Sequence, residues 1–297
     1  MISIATEKLN SELADHVEAL AAEAEKADGI APLSEEFLNG LRDERLNHTH
    51  YLAREDDDIV GVAALNGDNV EMFVVPGKRR QGIGSKLYSS IDVEGLQAWA
   101  HGNLPGAQAL AQQEGLEVTR TLLVMAIDGE ALTNAATLND VPLTPLNYSQ
   151  AVEQMGREEV EKQWLQANNE AFSWHPEQGG WDLERLHRGM EADWFDPEDV
   201  LFLWDTDAQT GATMAGFHWT KWHTEETPGF GEVYVVGLAK DYRGQGLGDP
   251  LLRIGLARMV EKGADRVILY VEADNEPAVK AYEKLGFKVA EEHCVWA

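Results

Sequence analysis

A single cysteine in 297 residues, Cys294, excludes a disulfide within the chain and fits a reducing compartment. No glycine elbow or group of histidines surrounds it, so it is not read as a nucleophile. Basic residues are scarce: 24 Lys and Arg stand against 52 Asp and Glu, a formal net charge of -28. So acidic a surface repels nucleic acid and anionic membranes, and any anionic ligand must be held by local groups. No stretch approaches the roughly 18 apolar residues of a membrane span. The opening "MISIATEKLN" lacks a basic segment followed by an apolar one, so no signal peptide is expected and a cytoplasmic location is. Metal-ligand spacing is also missing. His175, His187, His218, His223 and His293 form no H-x-x-x-H or C-x-x-C pattern, and no metal is expected.

What is present is an ordinary globular balance, 44% hydrophobic and 26% charged. The length suggests two domains, at roughly 100–200 residues each. Helical periodicity opens the chain at 13–27, with Leu13, Val17, Leu20 and Ala24 on one stripe. A second helix is expected over 34–46 with Ser34 as N-cap. Strands at 59–65 and 70–75 flank "NGDN" (66–69), a hairpin signal. A glycine-rich loop, a helix over 83–94 and a strand at 97–100 follow. Periodicity fades from 128 to 150, where the domain junction is placed. The second half reads as a helix over 150–171, a loop over 172–181, and a helix over 183–195. Asp182 caps that last helix, with Trp181 and Leu186 as its hydrophobic staple. Strands are expected at 200–205, 214–222 and 232–238, then a glycine loop, a helix over 248–262, a strand at 266–273, a helix over 276–286 and a closing strand at 287–296.

The halves repeat one another. Glu71-Met-Phe-Val-Val matches Glu232-Val-Tyr-Val-Val, and Arg79-x-x-Gly-x-Gly matches Arg243-x-x-Gly-x-Gly. Each loop follows a strand and runs into a helix. A P-loop is excluded, because Ile83 stands where lysine is required. The G-x-G-x-x-G of a dinucleotide fold does not fit either, since the spacing here is G-x-G-x-G. An arginine before closely spaced glycines at a helix start can present backbone N–H groups to a diphosphate, with a full positive charge beside them. One such loop is as readily a plain turn. Two, after matching strands, favour a ligand.

"YRGQGLG" after "EVYVVGLAK", with "LYVEADNEPAVKAYEKLGF" (269–287) downstream, resembles the GNAT acetyltransferase superfamily. The resemblance covers both halves. It implies an α/β fold of the α+β type: two tandem GNAT domains, at 1–138 and 139–297, each a central mixed, mostly antiparallel sheet flanked by helices. It also implies acetyl-CoA as cosubstrate, at most one per domain. In the second half the implied contacts are Val236, Gly237 and Leu238; Arg243, Gly244, Gln245, Gly246, Leu247, Gly248 and Asp249; and Asn275, Glu276, Pro277, Ala278, Val279 and Lys280. In the first half they are Phe73, Val74 and Val75, then Arg80, Gln81, Gly82, Ile83, Gly84 and Ser85. "NEAFSWHPEQGGW" (169–181), "GFHWTKWH" (216–223) and "GEVYVVG" (231–237) are similar to a two-GNAT family of actinobacteria. That family acetylates the cysteinyl amine of 1D-myo-inositol 2-(L-cysteinylamino)-2-deoxy-glucopyranoside. By that likeness Glu177, Lys221, Glu232 and Tyr270 line the acceptor site, and Glu35 reaches it from the first half. A monomer acting on a small-molecule amine is expected.

Amide formation from a thioester needs an amine relieved of a proton and a proton for the departing thiolate. Glu232 begins a strand beside the glycine loop and is assigned as the base. Strand alternation would set it on one face with Tyr234 and Val236. A carboxylate near 4.3 is weak against an α-amine near 7.7–8.0, about 3.5 units apart, so a raised carboxylate or a bridging water is expected. Tyr282, seven residues after Asn275, is assigned as the acid. A phenol of about 10 would hand its proton to a thiolate whose acid is about 8.5. Aligning Gly115 with Gly286 sets Ala111 opposite Tyr282, so the first half keeps Glu71 and its loop but has no such acid. Each residue also has a plain reading: a strand-end Glu, a core Tyr, an exposed edge Lys221. Two rivals stand beside the main reading. One changes the acceptor to a protein N-terminus, polyamine or aminoglycoside. The other is a non-catalytic acyl-CoA-binding regulator.

Overall fold

The computed structural model describes residues 2–138, 141–173, 178–207, 211–224 and 228–297. Its contacts group the chain into two compact units. One comprises Met1–Leu123, Glu272–Asp274 and Glu291–Ala297; the other comprises Val124–Val271 and Asn275–Ala290. The first break between them falls after Leu123, and the end of the chain returns to the first unit.

In the first unit the order is β1 (Ile2–Glu7), α1 (Ser11–Asp28), α2 (Glu35–Gly40), β2 (Thr49–Glu55), β3 (Asp58–Asn66), β4 (Asn69–Val74), α3 (Ile83–Ser89), β5 (Gln97–Ala100) and α4 (Pro105–Glu114). β6 (Val118–Asp128) then leads out of it. Strands β1 to β5 lie side by side in that order. All neighbours are antiparallel except β4 and β5. Asn10 caps α1 through Leu13 N–H, and the helix buries Ala14, Val17, Ala21 and Ala24 against Leu52, Val62 and Phe73. Residues 294–296 close the far side of β5.

The second unit holds α5 (Gly129–Ala135), β7 (Thr144–Asn147), α6 (Tyr148–Met155), α7 (Arg157–Ala171), α8 (Leu183–Gly189), β8 (Val200–Asp205), β9 (Thr213–His223), β10 (Phe230–Leu238), α9 (Gly248–Glu261), β11 (Arg266–Glu272) and α10 (Glu276–Leu285). β12 (Lys288–Trp296) ends the chain. The strand order here is β11-β10-β9-β8-β7, again with one parallel pair, β10 with β11. Trp164 of α7 packs on Phe202, Phe217 and Trp219 to form the core of one sheet face.

Several expectations need correction. The helix over 34–46 stops at Gly40, and the Ser34 side chain makes no cap bond; its N–H goes to Glu71 instead. The helix over 83–94 ends at Ser89 and that over 183–195 at Gly189. The helix over 150–171 is two helices, parted at Gly156. The region 128–150 contains α5 and β7. Strands β1, β2 and β6 go beyond the sequence reading; β6 holds an unbroken apolar run at 122–127, which has no alternation to mark it as a strand.

His218 lies in the middle of β9, fully buried, with Nδ1 3.1 Å from the Leu251 carbonyl and its ring against Gly255. Burial holds it neutral by pushing its pKa down to about 4. The unfolded chain takes up this proton near 6.5, so the contribution of neutral His218 is present above that pH. It is lost as pH falls towards 4, at about 1.4 kcal/mol per unit. Urea unfolding at pH 7 and pH 5 should show a steep loss for the native chain and a shallower one for His218→Asn.

Candidate functional site

The site of the second unit begins with a fault in pairing. β10 pairs with β9 along its length, but the register shifts between Val233 and Val235, so Tyr234 is an extra residue. A bulge of this kind reverses the faces of everything beyond it. Glu232 is opposite Lys221, while Val236 is opposite His218, on the other face. Val235 joins the Trp164 cluster, and Val236 and Leu238 join Leu251 and Ile254 beneath α9. The expected shared face of Glu232 and Val236 is thus overturned by one inserted residue.

The second fault is a splay. β10 and β11 pair only from Gly231–Val267 to Val233–Leu269, although β10 runs to Leu238 and β11 to Glu272. Ala239 N–H bonds to the Ala215 carbonyl on β9. By antiparallel alternation Val235 and Gly237 also point to β9, and the N–H groups of Val236 and Leu238 point into the open wedge. An extended ligand entering the wedge meets a ready strand edge.

The glycine loop lies at the mouth of β10. Gly244 and Gly246 have φ of 72° and 77°, the left-handed region where a side chain is strained. A Cβ at Gly244, Gly246 or Gly248 would meet nothing within 4 Å, so the space over the loop is open. Arg243 Nε donates to the Leu238 carbonyl at 3.2 Å, which fixes the side chain. Its two terminal nitrogens make no hydrogen bond among the described residues, which leaves the fork for an anion. Asp249, Leu247 and Gln245 complete the loop. Asp249 holds Arg253, and Gln245 donates to the Asp241 carbonyl.

Glu232 is 7% exposed. Its Oε2 lies 2.6 Å from His223 Nε2, a partner that the sequence did not suggest. Lys221 is buried on a strand flanked on both sides, not an exposed edge lysine. Its Nζ lies 5.0 Å from the Trp194 ring centre and 5.9 Å from that of Tyr234. Trp194 and Tyr234 meet edge to face at 4.9 Å and wall this face of the sheet. Tyr270, half exposed, lies two residues beyond Ile268, the register partner of Glu232, and so shares its face.

Asn275 caps α10 by accepting from Ala278 N–H, and Pro277 occupies the first turn. Glu276 and Lys280 pair at 2.7 Å on the exposed side, with Val279 half-buried. Tyr282 packs on Phe287 with ring centres 5.9 Å apart. Desolvation pushes its phenol up to about 12, and its hydroxyl makes no hydrogen bond among the described residues. Glu177 lies outside the described residues. Glu35 is exposed at the start of α2 in the other unit.

The first unit repeats the scaffold with its groups engaged elsewhere. β4 and β5 also part early, after Glu71–Trp99. Val75 N–H bonds to Val60, so by alternation Phe73 points to β3 and Val74 to the wedge. Arg79 Nε donates to the Val74 carbonyl at 3.0 Å, as Arg243 does to Leu238. Its terminal nitrogens, however, hold both oxygens of Asp28, at 2.6 and 2.8 Å. Arg80 and Gln81 are exposed, Gly82 has φ of 75°, and Ile83 is buried at the head of α3, with Gly84 and Ser85 next. Glu71 is buried, with Oε2 accepting from Ser34 N–H at 2.6 Å and Oε1 3.0 Å from His101 Nε2. The Ala111 carbonyl accepts from Leu116 N–H, as that of Tyr282 does from Phe287 N–H. The two positions correspond, and the first unit has a methyl group where the second has a phenol.

The acetyltransferase (GNAT) family model matches residues 12–106 and 161–287. A mycothiol acetyltransferase of Corynebacterium aurimucosum is 64% identical over 97% of this chain and 96% of its own. One from Corynebacterium diphtheriae is 48% identical over 100% and 98%. Among solved structures, a tandem GNAT protein from the clavulanic acid biosynthesis pathway superposes with TM-score 0.68 at 18% identity, covering 100% of this chain and 98% of its own. A GCN5-related N-acetyltransferase from Sphaerobacter thermophilus gives TM-score 0.69 at 21%, covering 99% and 94%. Both share the fold.

Proposed function

The chain belongs to the GNAT acetyltransferases and, within them, to the mycothiol acetyltransferase family, and from this premise we propose how its second unit acts. The reading is transfer of the acetyl group of acetyl-CoA to the cysteinyl amine of 1D-myo-inositol 2-(L-cysteinylamino)-2-deoxy-glucopyranoside, the last step in making mycothiol. The observation that carries the use of acetyl-CoA is the splayed β10–β11 pair with the Arg243 fork at its mouth, and the likeness to mycothiol acetyltransferases supports the acceptor. Residues of this kind fit acetyl-CoA: loop N–H groups and Arg243 would hold a diphosphate, and Val236 and Leu238 N–H would meet the acyl oxygen and pantetheine. When bound, acetyl-CoA supplies the activated acyl group.

Glu232 takes a proton from the acceptor ammonium, directly or through a water. Tyr282 keeps its proton at any ordinary pH and donates a hydrogen bond to the departing sulfur. Full transfer from a phenol near 12 to a thiolate whose acid is near 8.5 would run uphill by about 3.5 units, or about 5 kcal/mol. Tyr282 therefore acts as a shuttle, giving its proton only as it recovers the second one from the attacking nitrogen. Lys221, Tyr270 and Glu177, with Trp194 as a wall, hold the sugar, inositol and amine. The first unit can bind a coenzyme A but has no acid with which to turn it over.

Products from a mixed panel of amines, identified by mass, test the acceptor. Acetylation of the cysteinyl compound ahead of peptide N-termini, polyamines and aminoglycosides is expected, and a preference for a peptide N-terminus would overturn it. Glu177→Ala should weaken the acceptor by roughly 1.5–3 kcal/mol, a hydrogen bond to a charged group, and leave acetyl-CoA binding as it was. Calorimetric titration with each ligand separates the two effects.

A further inference from the structure

The two glycine loops differ in charge as well as in partners. Residues 78–86 carry Lys78, Arg79, Arg80 and Lys86 and no acidic residue, whereas residues 240–249 carry Lys240 and Arg243 beside Asp241 and Asp249. In a chain of net charge -28, a loop with four cations and no carboxylate is a local site for an anion. Arg80 and Lys86 make no ion pair among the described residues, while Lys78 is held by Glu55. A Cβ at Gly82 would meet nothing within 4 Å, so the space over this loop is open as well.

The group that takes the Arg79 fork is out of place for its own helix. Asp28 is the last residue of α1, followed by Gly29 in a left-handed cap. The dipole of a helix opposes a carboxylate at its C-terminus. Here that cost is offset by the two hydrogen bonds from Arg79, at 2.6 and 2.8 Å, between side chains 34% and 16% exposed. α7 ends against the second loop as α1 does against the first. Its carboxylate is used differently. Glu170 accepts from Gln166 Nε2 at 2.9 Å and from Lys240 N–H at 2.8 Å, and makes no ion pair with Arg243 among the described residues.

We propose that Asp28 sets the affinity of the first unit for coenzyme A: its carboxylate sits on Arg79 where a phosphate of the diphosphate would bind, and the ligand enters by exchanging with it. This rests on the reading that the first unit binds coenzyme A. Carboxylate and phosphate both take a guanidinium two-pronged, so one can stand in for the other. A site that is competent only while the pair is open shows its intrinsic Kd divided by the open fraction. The first unit therefore fills at a higher acetyl-CoA concentration than the second, although its loop is the more basic.

The test is calorimetric titration of acetyl-CoA into the full chain carrying Arg243→Glu, which leaves the first unit as the stronger site. Adding Asp28→Asn should tighten the remaining binding about tenfold, the factor for a pair closed about ten times as often as open. Asp28→Ala should do the same. Adding Arg79→Gln to either should remove the gain, because the freed fork is what the ligand uses. Without ligand both Asp28 variants should melt lower than their parent, and acetyl-CoA should raise their melting temperatures by more. A lower melting temperature with an unchanged Kd would make the pair a structural tie and overturn the proposal, as would a gain that survives Arg79→Gln. If neither the Arg243→Glu parent nor its Asp28→Asn derivative binds acetyl-CoA, while the native chain binds one, the first unit is no coenzyme A site and the proposal falls with that reading.

Discussion

Glu232→Gln and Tyr282→Phe are each expected to lower kcat by roughly 10²–10⁴, the range for positioned acid–base groups. Both changes are nearly isosteric, which is why they are informative. The amide introduced by Glu232→Gln would keep a hydrogen bond to His223 but has no site for a proton. The ring left by Tyr282→Phe would keep the contact with Phe287 and lose only the hydroxyl. Neither position touches the glycine loop, so acetyl-CoA affinity, measured by calorimetry, should change little. Since burial already keeps the Tyr282 phenol protonated up to about 12, its loss should not alter the shape of the pH profile below about pH 9. Near-normal turnover in both variants would remove the mechanism, whatever the acceptor proves to be.

The second large effect separates the two units. Arg243→Glu, or Gly246→Val, should abolish turnover by weakening acetyl-CoA about 10²-fold or more. One places a carboxylate where the diphosphate would lie, since losing charged hydrogen bonds costs about 1.5–3 kcal/mol each. The other forces a branched residue into a φ of 77°. The matching changes Arg79→Glu and Gly82→Val should leave chemistry largely in place. Arg79→Glu sets a carboxylate against Asp28 and should instead destabilise the first unit, visible as a lower melting temperature. Activity is therefore compared at a temperature where every variant is folded. If the first-unit variants are the inactive ones, the catalytic and silent units have been assigned backwards.

Much of this was legible in the linear chain because it depends on local chemistry. A strand, an arginine, glycines that can take positive φ, and a helix start are neighbours in sequence, so the loops could be found and paired. Asn275 and Tyr282 sit on one helix at fixed spacing, and the Gly115–Gly286 alignment that set Ala111 opposite Tyr282 rests on two helix ends with the same αL cap. The acidic composition, the lone cysteine and the two-unit layout needed no coordinates. Tertiary structure alone decided the rest, because it turns on pairing between distant strands. One extra residue at Tyr234 exchanged the faces of β10, and no periodicity announces a bulge. His223 meets Glu232 only because β9 and β10 are in register, and Arg79 is taken by Asp28 only because α1 ends beside its loop. Two loops alike in sequence thus differ in what they leave free, since a side chain's partners are set by what the fold brings near it.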